Sequence, residues 1–286
     1  MAAFGTRTER FTELFNALLK SDGGMLNMLN DTAMVPEGAQ AGAITTRITT
    51  AVTLQSTTDG TPLANNAART EVGLTVFEGV HTISLFEYEL RQFDGKAEKK
   101  EVKAFVSAAR VAAETEIIAD FVAGTPGATE TLPAGQINFG TDGTDAEAYT
   151  TIDKLDQAIA YVDVNTAGAE DGQTFIVVPK ACYGKLISLR GVSRLRGDFD
   201  REGRRWYYQG YPIFKTSVTT NFGGASKAAA FVVNVDAEAL VWTDMTMPTE
   251  EFTHHSDNMW KLFLNTYGFA GLIQASHYAE VANPSS

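Results

Sequence analysis

The chain has 286 residues, of which 44% are hydrophobic, enough for a substantial core in one large domain or in two to three smaller ones. Its formal net charge of −12 at pH 7 means that specific nucleic-acid binding would need a local basic patch against an overall repulsive field. The single cysteine, Cys182, excludes an internal disulfide framework and fits a reducing cytoplasm; we interpret it as a small core residue rather than a nucleophile.

The N-terminal segment predicts a short helix followed by a loose arm. Apolar residues at helical spacing run from Phe11 to Leu19, and Gly23 and Gly24 then break the pattern. The small residues that follow offer no apolar face wide enough for a core, so we expect the arm to be ordered only by contact with something else. There is no apolar signal-peptide region and no run of about 18 apolar residues. We therefore expect a soluble, unsecreted protein without membrane contacts.

Residues 44–88 predict a long two-stranded β-hairpin, because they are rich in threonine and β-branched residues and contain the turn Asp59-Gly60-Thr61-Pro62. The apolar positions change parity after Glu78-Gly79, which predicts a bulge there. A two-stranded ribbon is at best marginally stable alone, so we expect its partner to be another subunit. The candidates for contact between subunits in this segment are Thr57, Asp59 and Arg69.

A long amphipathic helix is predicted from Lys96 to Val122. Its apolar residues recur at steps of three and four between Val102 and Phe121, and Gly124 with Pro126 supplies the stop signal. At about 1.5 Å per residue the helix would be roughly 40 Å long. The stretches on either side of it indicate strands, so we expect it to lie along an antiparallel sheet.

Residues 124–148 predict a surface loop or a weak hairpin. Asp142, Asp145 and Glu147 could hold a cation, but the glycine and spacing of a calcium loop are missing, which favours solvated loop residues. Thr150 with Asp153 then resembles a capping box that opens a second helix. The inner face of this helix is predicted to carry Ile152, Leu155, Ile159 and Val162.

The rest of the chain predicts a mixed α/β domain beginning near Thr150 and a return to the sheet under the long helix. Strands are predicted at Thr174–Val178, at Tyr211–Phe214 and at Phe231–Val235, with Pro179 at the first position of a third helix. The closing strands are predicted at residues 259–264 and 269–275.

Basic residues are concentrated only between Lys185 and Arg205, and three acids, Asp198, Asp200 and Glu202, are interleaved with them. The acids favour a mixed-charge loop that is solvated or pairs with a neighbouring subunit over an electrostatic site for DNA. The arginines of this segment, which are candidates for contact between subunits, are Arg190, Arg194, Arg196, Arg201, Arg204 and Arg205.

Motifs for chemistry are absent. The sequence contains no P-loop, dinucleotide glycine fingerprint, paired CxxC, HExxH or GxSxG pattern. The best metal-like cluster is His254-His255 with nearby acids, but adjacent histidines on a strand point to opposite faces and cannot both reach one ion. We therefore expect no enzyme, no metal and no cofactor.

The order of segments resembles the tailed-bacteriophage major capsid proteins, which have an extended arm, a long hairpin, a long helix, a mixed domain and a return to the sheet. Their order and spacing together carry the resemblance, which covers nearly the whole chain. The matching stretches are Val177-Val178-Pro179, Gly210-Tyr211-Pro212-Ile213, Phe231-Val232-Val233-Asn234-Val235-Asp236, Ala239-Leu240-Val241-Trp242-Thr243-Asp244-Met245, Asp257-Asn258-Met259-Trp260-Lys261 and Gly268-Phe269-Ala270.

The resemblance implies the α+β fold of that family. Residues 1–43 would form an N-terminal arm and residues 44–95 an extended hairpin loop. Residues 96–149 and 236–286 would form a peripheral domain whose spine helix lies on an antiparallel sheet. Residues 150–235 would form a mixed α/β axial domain.

The resemblance also implies a structural protein that self-assembles into hexamers and pentamers of an icosahedral shell around double-stranded DNA, bound without sequence specificity. It would be assembled in the host cytoplasm and reside in the virion capsid. Its partners would be itself, a separate scaffold, a portal and, in some systems, a decoration protein. An encapsulin-type nanocompartment is the alternative within this fold, and a hydrolase or a carbohydrate-binding module is the alternative from another class.

One departure from the family concerns covalent locking of the shell. Some members form an isopeptide bond between a lysine of the extended loop and an asparagine that follows an Asp-Asn-x-x-Lys run. Here no lysine lies between Lys20 and Lys96, and Leu262 follows the run that ends at Lys261. We therefore expect shells without cross-links between subunits.

Overall fold

The computed structural model describes residues 24–29, 44–49, 69–86, 96–140, 144–166, 173–192, 195–220, 222–224, 226–242, 246–253, 259–272 and 274–285. Within these ranges the chain forms three α-helices and twelve β-strands, which assemble into a seven-stranded and a five-stranded sheet. This mixture of helices and sheets agrees with the predicted fold class. None of the described helices is long and apolar enough to cross a membrane.

The seven-stranded sheet has the order β3-β12-β8-β4-β7-β6-β5. Its strands are β3 (Ala128–Thr131), β4 (Thr174–Pro179), β5 (Phe199–Glu202), β6 (Arg205–Tyr208), β7 (Tyr211–Thr216), β8 (Ala228–Asn234) and β12 (Tyr278–Ala282). The predicted strands in this part of the chain are confirmed at β4, β7 and β8. Every residue of β4 and β8 is buried, because both faces of the sheet are covered.

Two cores lie on the two faces of this sheet. Along β4, Phe175 and Val177 belong to one core and Ile176 and Val178 to the other, as the alternation of side chains in a strand requires. The second core is covered by α2 (Asp145–Asn165) and α3 (Lys180–Ser188), and we call it the α2-side core. The predicted inner face of α2 is confirmed, since Ile152, Leu155, Ile159 and Val162 are all buried there.

The predicted start of α2 is wrong. The helix begins at Asp145, and the Oγ1 of Thr144 accepts a hydrogen bond from the backbone N–H of Glu147, at 3.4 Å. Thr144 and Glu147 have the same Thr-x-x-acid spacing that we assigned to Thr150 and Asp153 six residues later. Thr150 lies inside the helix, where its hydroxyl donates to the carbonyl of Glu147.

Two further local predictions are corrected. Pro179 is the last residue of β4 and the N-cap of α3, so the helix begins at Lys180, one residue later than predicted. Residues 124–148 are not simply a loop, because they contain β3, a 3-10 turn at Ile137–Phe139 and the first turn of α2. Local patterning missed β3 because its pairing partner, β12, lies at the other end of the chain.

The long helix, α1 (Lys96–Ala123), is confirmed. Its C-terminal half lies on the other face of the seven-stranded sheet, in what we call the α1-side core, where the Phe121 ring centroid lies 5.6 Å from that of Phe231 and 5.0 Å from that of Tyr278. The helix ends as predicted before Gly124, where a Cβ would lie 2.6 Å from the Tyr278 hydroxyl oxygen. The helix also contacts the five-stranded sheet, as expected, so it serves both sheets.

Part of the predicted loose arm belongs to the same core. Residues 25–27 form a 3-10 turn, and Met25, Leu26 and Leu29 are buried against Ala113 and Ile117 of α1. This segment is therefore ordered by contact with its own subunit. The predicted helix upstream of it lies outside the described residues.

The five-stranded sheet contains β1 (Ile44–Thr49), β2 (Arg69–Phe86), β9 (Glu238–Trp242), β10 (Thr246–Thr253) and β11 (Met259–Leu272). The antiparallel pairing of β1 with β2 confirms the two strands of the predicted hairpin, whose turn lies outside the described residues. The two predicted closing strands are one continuous strand, β11.

The predicted bulge after Glu78-Gly79 is wrong. The pairing of β2 with β11 runs through both residues without a register shift. The strand changes partner instead, since β1 pairs with residues 69–74 and β11 with residues 75–86. The change of parity therefore lies inside the stretch that β11 holds and marks no irregularity in the pairing.

Candidate inter-subunit surfaces

The first candidate surface is the ladder of β1 and the beginning of β2. β2 has 18 residues, so it is roughly 60 Å long at about 3.3 Å per residue. Its first six residues pair with β1, and in the described part of the chain neither strand has a further partner along that stretch. The ladder thus extends past the part of β2 held by β11. A two-stranded extension whose outer edges are unpaired among the described strands suits contact with another chain.

The second candidate surface contains the arginines at the β5 edge of the seven-stranded sheet. We predicted a mixed-charge loop here, and the structure instead has 3-10 turns at Leu189–Gly191 and Leu195–Gly197 followed by the β5–β6 hairpin. The hairpin is held by the buried rings of Phe199 and Tyr208, with centroids 4.9 Å apart, and by pairing of β6 with β7. Because these apolar residues are few and lie among charged ones, β5 and β6 lack the alternating apolar pattern from which a strand can be predicted.

On the α2 side of the sheet, three cations near this edge lie over aromatic rings. The guanidinium carbons of Arg190 and Arg201 lie 4.6 Å and 5.7 Å from the ring centroid of Trp206, and Arg201 is directly opposite Trp206 in the strand register. The Nζ of Lys215 lies 5.5 Å from the ring centroid of Tyr183. The three cations are exposed and the two rings are half-buried. We call Arg190, Arg201 and Lys215 the basic row.

Four aspartates lie near the Tyr208–Tyr211 end of the β6–β7 strand pair. The Tyr208 hydroxyl donates to Oδ1 of Asp156 at 2.7 Å, and the Tyr211 hydroxyl donates to Oδ2 of Asp163. Burial raises the pKa of Asp156; the Tyr208 hydrogen bond opposes this shift, and the neighbouring charges of Asp153 and Asp198 add to it. We call Asp153, Asp156, Asp163 and Asp198 the acidic cluster.

A polar link joins α1 to the seven-stranded sheet. The Thr216 hydroxyl at the end of β7 donates to Oε2 of Glu114 at 2.7 Å and accepts from the backbone N–H of Val218 at 3.1 Å. Burial raises the pKa of Glu114, while the hydrogen bond from Thr216 and the charge of Arg110 oppose the shift. The link ties the orientation of the long helix to the sheet.

The candidates for chemistry that the sequence offered are a single cysteine and a pair of histidines. Cys182 is fully buried, which confirms it as a core residue, and burial raises the pKa of its thiol to about 12. In the described ranges no group of histidine, cysteine, aspartate and glutamate side chains could hold a metal ion. His254 and His255 lie outside those ranges.

The predicted contact residues are placed as follows. Arg69 is the first residue of β2 and pairs with Thr49, whereas Thr57, Asp59 and Arg194 lie outside the described residues. Arg196 and Arg204 are exposed, in a 3-10 turn and in the β5–β6 turn.

The Arg205 guanidinium carbon lies 4.6 Å from the ring centroid of Phe214, on the sheet face opposite Arg201. The sequence did not indicate Lys215, Trp206 or Tyr183, because strand pairing brings Lys215 and Trp206 to this surface and the helix α3 supplies Tyr183.

No protein-family model matches the chain, and no curated protein matches it in sequence. Solved structures match it over most of its length. The virus-like particle from Pyrococcus furiosus has 11% sequence identity and a TM-score of 0.55, covering 96% of this chain and 98% of that chain. The capsid of the cyanophage P-SCSP1u has 15% identity and a TM-score of 0.57, covering 90% and 88%. The mature capsid of bacteriophage PhiM1 has 14% identity and a TM-score of 0.54, covering 86% and 83%.

The chain therefore has the fold of shell-forming capsid proteins. This confirms the resemblance suggested by the order of its segments. The matched proteins are structural proteins rather than enzymes.

Proposed function

We propose that the chain is a major capsid protein, a structural subunit that self-assembles into hexamers and pentamers of an icosahedral shell. The observation that carries this proposal is the large share of the chain that superposes on solved capsid structures. The match extends over 86 to 96% of this chain in the three structures compared, so the likeness includes both sheets and the long helix rather than one common substructure.

The elements of the structure take roles in this proposal. The β1–β2 ladder belongs to the extended loop of residues 44–95, which would lie over a neighbouring subunit. α1 is the spine of the peripheral domain, formed by residues 96–149 and 236–286, and residues 150–235 form the axial domain. β12 pairs with β8 and so joins the last segment of the chain to the sheet of the axial domain.

The content of the shell in this proposal is double-stranded DNA, in a virion capsid assembled in the host cytoplasm. A chain with net charge −12 repels nucleic acid overall, which suits a container that holds DNA without reading its sequence. A separate scaffold, a portal and, in some systems, a decoration protein complete the set of partners.

Electron microscopy of the purified protein tests assembly. We expect closed shells of uniform diameter at high subunit concentration. A monodisperse small oligomer under every condition would contradict the proposal and would favour the hydrolase or the carbohydrate-binding module.

An encapsulin-type nanocompartment is the second candidate. It is favoured by the match to the Pyrococcus furiosus virus-like particle, which covers nearly all of both chains. The two kinds of shell differ in content, so particles isolated from the organism that makes this protein should be treated with nuclease and then opened. Protected double-stranded DNA supports the capsid, whereas a stoichiometric cargo protein without DNA supports the nanocompartment.

A further inference from the structure

We propose that the basic row of one subunit docks against the acidic cluster of a second copy of this chain. The inference rests on the proposed self-assembly and names the charged contact that drives it.

The basic row is held ready for a partner. Arg190 and Arg201 both lie over Trp206, and Lys215 lies over Tyr183, so the rings limit the positions of three long, flexible cations. All three are exposed, and none forms a salt bridge with a described carboxylate. A preorganised charge loses less side-chain entropy when it binds than a free one does.

Tyrosine hydroxyls hold the acidic cluster in place, and no described cation forms a salt bridge with it. Hydrogen bonds from Tyr208 and Tyr211 orient Asp156 and Asp163. The negative charges of Asp153 and Asp198 lie close enough to repel that of Asp156. Lys154, the one basic residue of α2, already forms an ion pair with Glu130 at 3.1 Å. Cations supplied from another chain would relieve this repulsion.

The two patches lie on the same side of the seven-stranded sheet but at different ends of β6 and β7. Tyr208 and Tyr211 are directly opposite each other at the acidic end, while Trp206 and Lys215 lie toward the basic end. Tyr211 and Lys215 are four residues apart, which corresponds to roughly 13 Å along a strand. A contact between two different patches is either reciprocal, as in a two-fold dimer, or head-to-tail, and a head-to-tail contact that closes gives the ring that the proposed capsomers require.

A second copy suits the basic row better than nucleic acid does. Single-stranded nucleic acid binds by stacking its bases on free aromatic faces, but guanidiniums already lie over Trp206 and an ammonium over Tyr183. The net charge of −12 opposes the approach of phosphates, whereas the acidic cluster of another copy offers complementary charge at a fixed position.

Charge reversal in two surfaces tests the contact. The variants are R190E/R201E, D153K/D198K and the combination of all four changes. Asp153 and Asp198 are chosen because neither accepts a side-chain hydrogen bond from another element in the described structure, whereas Asp156 and Asp163 hold tyrosines. R190Q/R201Q is a milder version for use if the reversal lowers folding, which circular dichroism reports.

The control is D200K/E202K, which makes the same charge change as D153K/D198K on one hairpin. Phe199 belongs to the α2-side core and Arg201 lies opposite Trp206, so strand alternation places Asp200 and Glu202 on the other face of β5. Both are exposed.

The measurement is the subunit concentration at half-assembly, by sedimentation velocity at low and high salt. We expect each double reversal to raise it by at least about tenfold, the combined variant to return close to the wild type, and the control to match the wild type. The wild-type association should weaken with added salt.

Unchanged assembly of R190E/R201E, failure of the combined variant to recover, or an equal effect of the control would overturn the inference. Shells that form normally but lose protected nucleic acid would assign the basic row to DNA instead and would also overturn it. If the wild type forms salt-sensitive rings but no shells, the proposed function fails while the contact is still scored on the rings. A wild type that is monomeric at every concentration overturns both.

Discussion

The two sheets of this protein differ in how their strands are supported by neighbouring elements. The seven-stranded sheet carries a core on each face, and its central strands β4 and β8 are buried along their whole length. The five-stranded sheet is built on the long pairing of β2 with β11, and beyond that pairing only β1 accompanies β2 among the described strands. The first sheet therefore has strands on both sides of each central strand and a core on each face, whereas the β1–β2 ladder is two-stranded among the described residues, and a two-stranded ribbon is at best marginally stable alone.

The long helix belongs to both regions, which explains why it is so long. Its C-terminal half packs in the α1-side core, and the helix also lies against β2 and β11. The same helix therefore links the folded core of the subunit to the position of the β1–β2 ladder. The following predictions separate the two regions, from the largest expected effect to the smallest.

Ile117→Asp should abolish folding. Ile117 is 0% exposed in the α1-side core, so the substitution buries a charge without a partner, at a cost of about 3 to 5 kcal/mol. That is a large share of the roughly 5 to 15 kcal/mol that stabilises a typical domain. We expect the same result for Phe105→Asp, which is 4% exposed on the same helix.

Val111→Asp is the matched control, because Val111 lies on the same helix and is 42% exposed. Soluble yield and circular dichroism measure the outcome. A folded Ile117→Asp protein would show that this face of α1 is not buried in solution.

Deleting residues 57–68 should leave the subunit folded but prevent stable shells. These residues precede the part of β2 that β11 holds, so their loss leaves both cores intact. Circular dichroism should be unchanged, and sedimentation should show small species instead of shells. A Gly/Ser replacement of equal length separates the loss of side chains from the loss of reach. Full-sized, equally stable shells from the deletion variant would refute the role of the hairpin.

Glu114→Gln should change how stability depends on pH. Burial raises the pKa of Glu114 above its ordinary value of 4.5, so the folded state binds this proton more tightly than the unfolded chain does. The carboxyl therefore makes folding progressively less favourable as pH rises above that value. Glutamine keeps an acceptor for the Thr216 hydroxyl but does not ionise.

The free energy of unfolding of Glu114→Gln, relative to the wild type, should therefore increase between about pH 4 and pH 7. Denaturant titrations at several pH values measure this difference. Glu116→Gln on the same helix makes the same change of net charge and controls for general electrostatics. A difference that does not vary with pH would mean that Glu114 is well solvated.

The last prediction is that assembly leaves the subunits without covalent cross-links, so their mass on a denaturing gel does not change. Because the hairpin lacks lysine and Leu262 offers no amide, mature particles boiled in denaturant should give one band near 31 kDa on a gel. A ladder of multimers that survives reductant would show that other residues cross-link the shell.

The sequence alone was sufficient wherever a periodic pattern extended over many residues. The steps of three and four in α1 predict its bounds within a residue or two, since a 28-residue helix with one apolar face has no competing arrangement. The inner face of α2, the strands β4, β7 and β8 and the burial of Cys182 were predicted for similar local reasons. The order of these elements was enough to suggest the capsid fold.

Tertiary structure decided the features that depend on distant partners. β3 exists because β12 pairs with it, β2 pairs with β1 at one end and with β11 along the rest, and Met25 is buried because α1 provides a surface for it. The candidate surfaces follow the same rule. Six arginines were visible in the sequence, but the pairing of β6 with β5 and β7 determines that Arg201 lies over Trp206 while Arg205 lies over Phe214 on the opposite face. Alternation along a strand assigns each charge to a face, and strand pairing, which spans residues far apart in the chain, determines which charges meet.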